Sequence, residues 1–318
     1  MGGSTAPSGA SGPRAHSYRI AGLVVASDIE LPGAVGALDP LAPDVVIQSA
    51  RVPHALDAPG TEGPTWQLSE DTILLGIPDI GRFLIQGGTH ILYEADGRPA
   101  EDLAVFLSGP MMALLLDLRG QAVFRASAVW VNGKAVLFCG ASGTGKSTLA
   151  AALGQRGYPL LADDICTVCV GPEPCAQPDA AQLKLWGQAV LRLGLEPRRG
   201  APLRRGLEKY YLDPGGGIAA PGPIGAVYCL RETRPPHRSG IEAPNVVDAV
   251  IALRLNAYNP VMVRRLGRQD LYFHAAGAIA NAAGVFHFTR PLSWAVLPKS
   301  LSALEGHWAQ IGLLEAAA

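Results

Sequence analysis

The segment Gly140-Ala141-Ser142-Gly143-Thr144-Gly145-Lys146-Ser147 restricts the folds open to this chain more than any other stretch. It fits the spacing G-x-x-x-x-G-K-[ST]. Glycines there permit unusual dihedrals, so successive backbone N–H groups can point inward at phosphate oxygens. Lys146 adds a cation for β- and γ-phosphates, and the Ser147 hydroxyl can ligate Mg2+. Such a loop needs a strand to deliver it and a helix to follow it. Both are legible: Ala135 to Cys139 is an apolar run with the pattern of a buried strand, and Ser147 to Leu153 is rich in helix formers. The N-terminal end of that helix would face the anion. Residues 140–148, with Thr148 as the last, form the expected nucleotide-binding set.

Asp163-Asp164 follows within one helix and one strand of Lys146. The helix is expected to stop at Gly157, and Pro159 to Ala162 reads as the next strand. That delivers two carboxylates to the strand's C-terminal end, where open α/β sheets bind ligands. One carboxylate can hold Mg2+, and the other can accept a proton from an attacking hydroxyl. Two adjacent acids need different roles, because like charges resist joint ionisation unless a metal offsets them.

The rest of the 318 residues frames this centre. Residues 1–17 are small and polar and read as a tail. Residues 18–119 read as a β-rich module: apolar, β-branched runs at 18–25, 44–48, 72–75, 82–86 and 90–94 predict a small antiparallel sheet, and 101–119 a helix ending at Gly120. From 120 to 318 the pattern is α/β. Strands at 121–131 and 134–139 are joined by Asn132-Gly133, a tight-hairpin signal. Further strands are expected at 226–230 and 285–289, and helices at 245–255, 268–283 and 298–311.

Composition closes off several classes. Hydrophobic residues make up 48% and charged residues 17%, which supplies a core and argues against disorder. Lys+Arg 26 against Asp+Glu 27 leaves a net charge of −1, so no global field draws the molecule to nucleic acid or anionic lipid. The longest uncharged apolar run, Leu103 to Leu116, contains Ser108-Gly109-Pro110 and is too short for a membrane span. It reads as a buried helix. The N-terminus has no apolar segment of a secretory signal. Five cysteines without such a signal fit reduced thiols in a cytoplasm.

The strand, the loop Gly140 to Ser147, Arg156-Gly157-Tyr158 and then Leu160-Leu161-Ala162-Asp163-Asp164 together resemble the catalytic domain of HPr kinase/phosphorylase, whose loop topology is shared with PEP carboxykinases. The likeness is closest over Gln121 to Val168. The opening Tyr18 to Ser27 resembles the HPr-kinase-like proteins found with lasso-peptide biosynthesis, which phosphorylate a serine on the precursor peptide. The resemblance implies a phosphate-loop kinase domain behind the β-rich module, with ATP and Mg2+ and a peptide or small protein as acceptor. It implies Asp163 as general base, and Asp164 with Ser147 as metal ligands. Arg125 stands where that family usually carries histidine; it can stabilise phosphoryl charge but cannot shuttle a proton near neutral pH. Lys184-Leu185-Trp186-Gly187 stands where the family has Glu-x-Arg-Gly.

Several residues outside the loop are weighed on their own chemistry. Lys209, in the basic stretch that includes Arg198, Arg199, Arg204 and Arg205, can reach phosphate or an acidic peptide, and it joins Lys146, Arg125 and Asp163 as a catalytic candidate. Cys166 and Cys169 lie three apart on an expected strand, which sends them to opposite faces and argues for structural thiols over zinc. His237, His274 and His287 read as surface or core residues. Trp186, Tyr210 and Tyr211 could line a peptide groove. The alternatives are a small-metabolite kinase of the same fold, a PEP-carboxykinase-like enzyme, and a nucleotide-binding protein without turnover. A homo-oligomer is compatible with each.

Overall fold

A computed structural model describes residues 16–37, 42–178, 182–218, 220–234 and 238–315. His237 and residues 1–15 of the expected tail lie outside them. In chain order the first strands are β1 (His16–Ile20), β2 (Leu23–Ser27), β3 (Val35–Gly36), β4 (Val45–Ser49), β5 (Thr61–Gly63), β6 (Trp66–Ser69), β7 (Thr72–Ile77), β8 (Gly81–Gln86) and β9 (His90–Ala95). Among the described residues they form one sheet in the order β3-β1-β2-β4-β9-β8-β7-β6-β5. The sheet is mixed where the apolar, β-branched runs predicted an antiparallel one. β4 lies parallel to both β2 and β9, because the chain crosses over between them instead of turning back in a hairpin. β1 starts at His16, inside the stretch read as tail.

The apolar run that is too short for a membrane covers this sheet. It forms α1 (Ala100–Phe106), a π-helical turn over Leu107–Met111 and α2 (Met112–Leu118). Pro110 lacks the N–H that an α-helix needs, and the wider turn absorbs that loss. Gly120, at φ +75°, ends the segment. Leu103, Leu107, Met111 and Leu114–Leu116 are buried against Val25, Ile47, Ile85 and Ile91. The same core continues into Val123, Ile165, Tyr258 and Met262 beyond the helix. Among the described residues no helix is long and apolar enough to cross a membrane.

The remaining strands are β10 (Ala122–Val131), β11 (Lys134–Cys139), β12 (Leu160–Ala162), β13 (Ile165–Cys169), β14 (Cys175–Ala176), β15 (Leu183–Trp186), β16 (Arg199–Pro202), β17 (Lys209–Leu212), β18 (Gly222–Glu232), β19 (Gly240–Glu242) and β20 (Gly284–Arg290). The helices are α3 (Lys146–Gly154), α4 (Gly187–Arg192), α5 (Val246–Leu255), α6 (Pro260–Arg265), α7 (Gln269–Ala282) and α8 (Leu297–Gln310). β10 and β11 pair as the hairpin that Asn132-Gly133 signals. β11, β18 and β20 run parallel to one another. Their side chains alternate between two cores. Val136 and Phe138 pack with Leu149, Leu153 and Trp308 of α3 and α8. Leu137 and Cys139 pack with Leu253, Tyr272 and Ile279 of α5 and α7. Helices therefore cover both faces; β11 ends at Cys139 opposite Cys229, and β18 and β20 run on together to Glu232 and Arg290. A separate small sheet, β15-β17-β16, stands beside this layer.

Candidate active site

The loop leaves the end of β11 and turns into α3 with Gly145 at the N-cap, at φ +84°. A side chain there would be strained, and its Cβ would stand 2.6 Å from Nη2 of Arg290. The loop is braced from within: Thr144 Oγ1 donates to the Ala141 carbonyl at 2.8 Å. Lys146 Nζ donates to the carbonyls of Gly140 and Ala141, both at 2.9 Å. At 8% exposure this lysine is buried, and burial lowers its pKa against the opposing pull of the charges on Asp164 and Asp163.

The two acids follow the C-terminal end of β12 and reach the loop, as their spacing suggested, but β12 is not one of the parallel strands. β12 and β13 both run antiparallel to β10, β12 opposite Ala128 and Val129 and β13 opposite Ala122 to Arg125. Asp163 and Asp164 fill the break between the two, across from Ala126 and Ser127. Asp164 has φ +73°, a conformation that aspartate tolerates better than most residues, and this turn separates the fates of the two carboxylates.

Asp163 is 4% exposed. Its Oδ1 accepts from Ser127 Oγ at 2.6 Å and from Ser147 Oγ at 2.7 Å, and its Oδ2 accepts from the Lys184 backbone N–H at 2.8 Å. Desolvation raises its pKa, partly offset by these three donors. Asp164 is half-buried, and its carboxylate makes no hydrogen bond or ion pair among the described residues. Its charge acts on Lys146 and Tyr258. The family resemblance paired Ser147 with Asp164 and left Asp163 for the proton. In the structure the hydrogen bond of Ser147 is to Asp163, and Asp164 follows in the positive-φ turn.

Arg125 sits on β10 beside the start of the loop. Its Nη2 donates to the Tyr258 carbonyl at 3.0 Å, and its guanidinium lies 4.7 Å from the centre of the Tyr258 ring. With Gly140, Ala141, Ser142 and Leu255 it lines a concavity of about 320 Å3. Lys209 is not brought into this group. It stands on β17 opposite Trp186, with Nζ 5.9 Å from that ring's centre. Lys209 belongs to the small sheet, whose contact with the acids is the backbone of Lys184. In the same basic stretch, Arg199 stacks on Tyr210 and Arg198 donates to the Pro214 carbonyl.

Arg290, at the end of β20, carried no signal in the sequence. It is 6% exposed, and its Nη2 donates to the Thr144 carbonyl at 3.0 Å. Burial lowers its pKa to about 10. Ser127, Tyr258 and the Lys184 N–H were likewise not foreseen, since each is brought to the site by a contact between segments distant in the chain. The other weighed residues stay outside it. Among the described residues no cluster of His, Cys, Asp and Glu could hold a metal by itself, and none of the five cysteines is in a disulfide. His287 is buried in β20 with Nε2 3.0 Å from Arg231 Nη2, and His274 contacts the Asp270 carbonyl. A further concavity, of about 380 Å3, opens in the N-terminal sheet around Trp66 and Arg82, away from the loop.

No protein-family model matches this chain, and no curated protein matches it. Among solved structures it is similar to the HPr(Ser) kinase/phosphatase from Coxiella burnetii, at 12% sequence identity and a TM-score of 0.33, over 60% of this chain and 98% of that one. What this chain does is therefore read from its own residues.

Proposed function

We propose that the chain is an ATP-dependent kinase that transfers the γ-phosphoryl group to a serine hydroxyl of a peptide or small protein. The observation that carries this reading is the hydrogen bond of Ser147 to a buried acid, while a second acid, without a hydrogen bond or ion pair among the described residues, lies near enough for its charge to act on Lys146. A site that only gripped phosphate would need the amides and the lysine. A second carboxylate at the β/γ end is what a proton-accepting step requires.

The backbone N–H groups of 140–148 and Lys146 would hold the phosphates. A hydroxyl and a carboxylate sharing a hydrogen bond are hard oxygen donors that suit Mg2+, so Ser147 and Asp163 would hold that ion, which supplies charge neutralisation between β- and γ-oxygens. The acceptor hydroxyl oxygen attacks the γ-phosphorus, the bond to the β-bridging oxygen breaks, ADP leaves, and the hydroxyl proton passes to the Asp164 carboxylate. Arg125, fixed on Tyr258, lies beside the start of the loop, where charge on the transferring group would develop. Lys209 has no part in this step.

A peptide-sized acceptor is supported by the surface next to Arg125. Val247, Ile251 and Leu255 are 67%, 47% and 73% exposed at i, i+4 spacing on α5, and Leu255 lines the concavity. An apolar stripe left in water beside a site suits the side chains of a peptide segment better than a small polar metabolite. A serine-bearing lasso-type precursor peptide is the first acceptor to try, in the cytoplasmic setting that cysteines outside any disulfide suit.

The test is incubation with ATP, Mg2+ and serine-containing peptides, read by mass spectrometry as phosphate added to serine. Lys146→Ala should lower transfer by about a hundredfold to a thousandfold while the melting temperature stays close to that of the parent. Magnesium-dependent ATP binding with no transfer to any peptide or protein would instead identify a nucleotide-binding protein without turnover.

A further inference from the structure

Packing accounts for Cys139, Cys166 and Cys229, which are buried in one apolar core. It does not account for Cys169 and Cys175. Both are half-buried, and they stand directly opposite each other where β13 pairs antiparallel with β14. Opposed residues of such a pair share a face, with Cα atoms about 4.5–5.5 Å apart, inside the range of about 4.4–6.8 Å that a disulfide spans. The connection between them, Val170-Gly171-Pro172-Glu173-Pro174, is short and stiffened by two prolines. The thiols already meet: Cys175 is hydrogen-bonded to Cys169, and neither is in a disulfide.

The surroundings set the two sulfurs apart. Gln177 Nε2 donates to Cys169 Sγ at 2.9 Å, and an N–H aimed at sulfur favours the charged form of a thiol. Burial and the hydrogen bond to Cys169 raise the pKa of Cys175, which therefore holds its proton. Cys169 is then the thiol that reacts first, and Cys175 the one placed to resolve it. We propose that Cys169 and Cys175 are a modification site, a dithiol that closes reversibly to a disulfide by exchange with a low-molecular-weight disulfide. The Cys169 thiolate attacks one sulfur of the small disulfide, whose S–S bond breaks and releases one small thiol. The Cys175 sulfur next attacks Cys169 of the mixed disulfide, and its proton passes to the second small thiol as that leaves. The two protein thiols lose two electrons, the small disulfide takes them up, and both thiol protons end on the released small thiols. An excess of small thiol runs the sequence backwards. The pair sits at the end of β13 away from Asp164, so the inference stands apart from the kinase reading.

The experiment treats the folded full chain with oxidised glutathione, alkylates the remaining thiols and maps the peptides by mass spectrometry. The parent peptide that carries both residues should become lighter by two hydrogens, with fragment masses that place the link between Cys169 and Cys175. Cys175→Ser should stop with one glutathionyl group on Cys169. Cys169→Ser should be modified at Cys175 about tenfold more slowly or less readily still. The closed parent should melt on the order of a few degrees higher than the open one, as a short closed loop allows. Two glutathionyl groups without an internal link, a link that includes Cys166, a link that forms only in denaturant, or no oxidation at all would overturn the site. A closed form that melts lower than the open one would overturn it too, because the paired strands would then have to part to make the bond. The parent's own mass change decides the matter even where a serine variant folds poorly.

Discussion

On one side of residues 140–148 stand Arg125, Asp164 and Tyr258; on the other stand Arg290, Leu292 and Trp294. Each side carries an arginine, yet the two are held differently. Arg125 lies partly in the open, stacked on an aromatic ring and hydrogen-bonded to a carbonyl, beside an acid that is itself half-exposed. Arg290 is buried, with the Thr144 carbonyl as the one hydrogen-bonded partner of its guanidinium among the described residues and its pKa lowered to about 10. A charge near water can adapt to a group that changes during a reaction, whereas a charge fixed in the interior suits a ligand portion that stays constant. The contrast gives the loop a direction, with a reactive end and a holding end.

The largest expected effect comes from separating the two acids at the reactive end. Asp164→Asn should lower phosphoryl transfer by about two to four orders of magnitude with Mg-ATP affinity nearly unchanged. Asp163→Asn should instead weaken Mg-ATP binding and blunt its magnesium dependence. Steady-state kinetics beside calorimetry reads both, and the reverse outcome would restore the pairing of Ser147 with Asp164.

A smaller effect compares the arginines. Arg290→Met should raise the dissociation constant for ATP and for tripolyphosphate by about tenfold or more, in line with losing one charge-assisted contact. Arg125→Met should lower turnover while leaving both dissociation constants within about twofold. If the two substitutions behave alike, the flanks are not distinct.

The smallest effect on transfer belongs to a buried acid on neither flank. Asp117 accepts from Tyr272 Oη at 2.7 Å, and burial raises its pKa from 3.8 to about 7, against the lowering effects of Tyr272 and Arg268. The folded state then binds this proton more tightly than the unfolded chain does. Its contribution to stability therefore falls as pH rises from about 4 to about 7 and is level above that. Asp117→Asn should flatten that slope, by up to about 4 kcal/mol, in denaturant melts across pH, and leave ATP affinity unchanged. A slope that persists in the variant would assign it to another group.

The sequence makes the holding chemistry legible and most of its supports illegible. Gly140 to Ser147 can be read because its function requires fixed spacing in a continuous segment, with a strand before and a helix after. Asp163 and Asp164 can be read as a pair, but not their division of labour, which depends on a positive φ at Asp164 and on Ser127 lying across β10 from the break. Arg290 lies far along the chain from the loop it braces, and nothing local marks it. The same limit explains the N-terminal sheet: apolar, β-branched runs identify strands such as β7 to β9, while the parallel placement of β4 is decided by pairing between distant segments. Lys209 errs the other way. A basic cluster in sequence is dispersed by β16 and β17 onto Tyr210 and Trp186.

A crystal structure with Mg2+ and a non-hydrolysable ATP analogue tests the account most directly. It should place the γ-phosphate at Lys146, the metal at Ser147 and Asp163, and the open carboxylate of Asp164 toward the acceptor side. A nucleotide bound away from residues 140–148, or a metal ligated by Asp164 with Asp163 turned toward the acceptor, would contradict it.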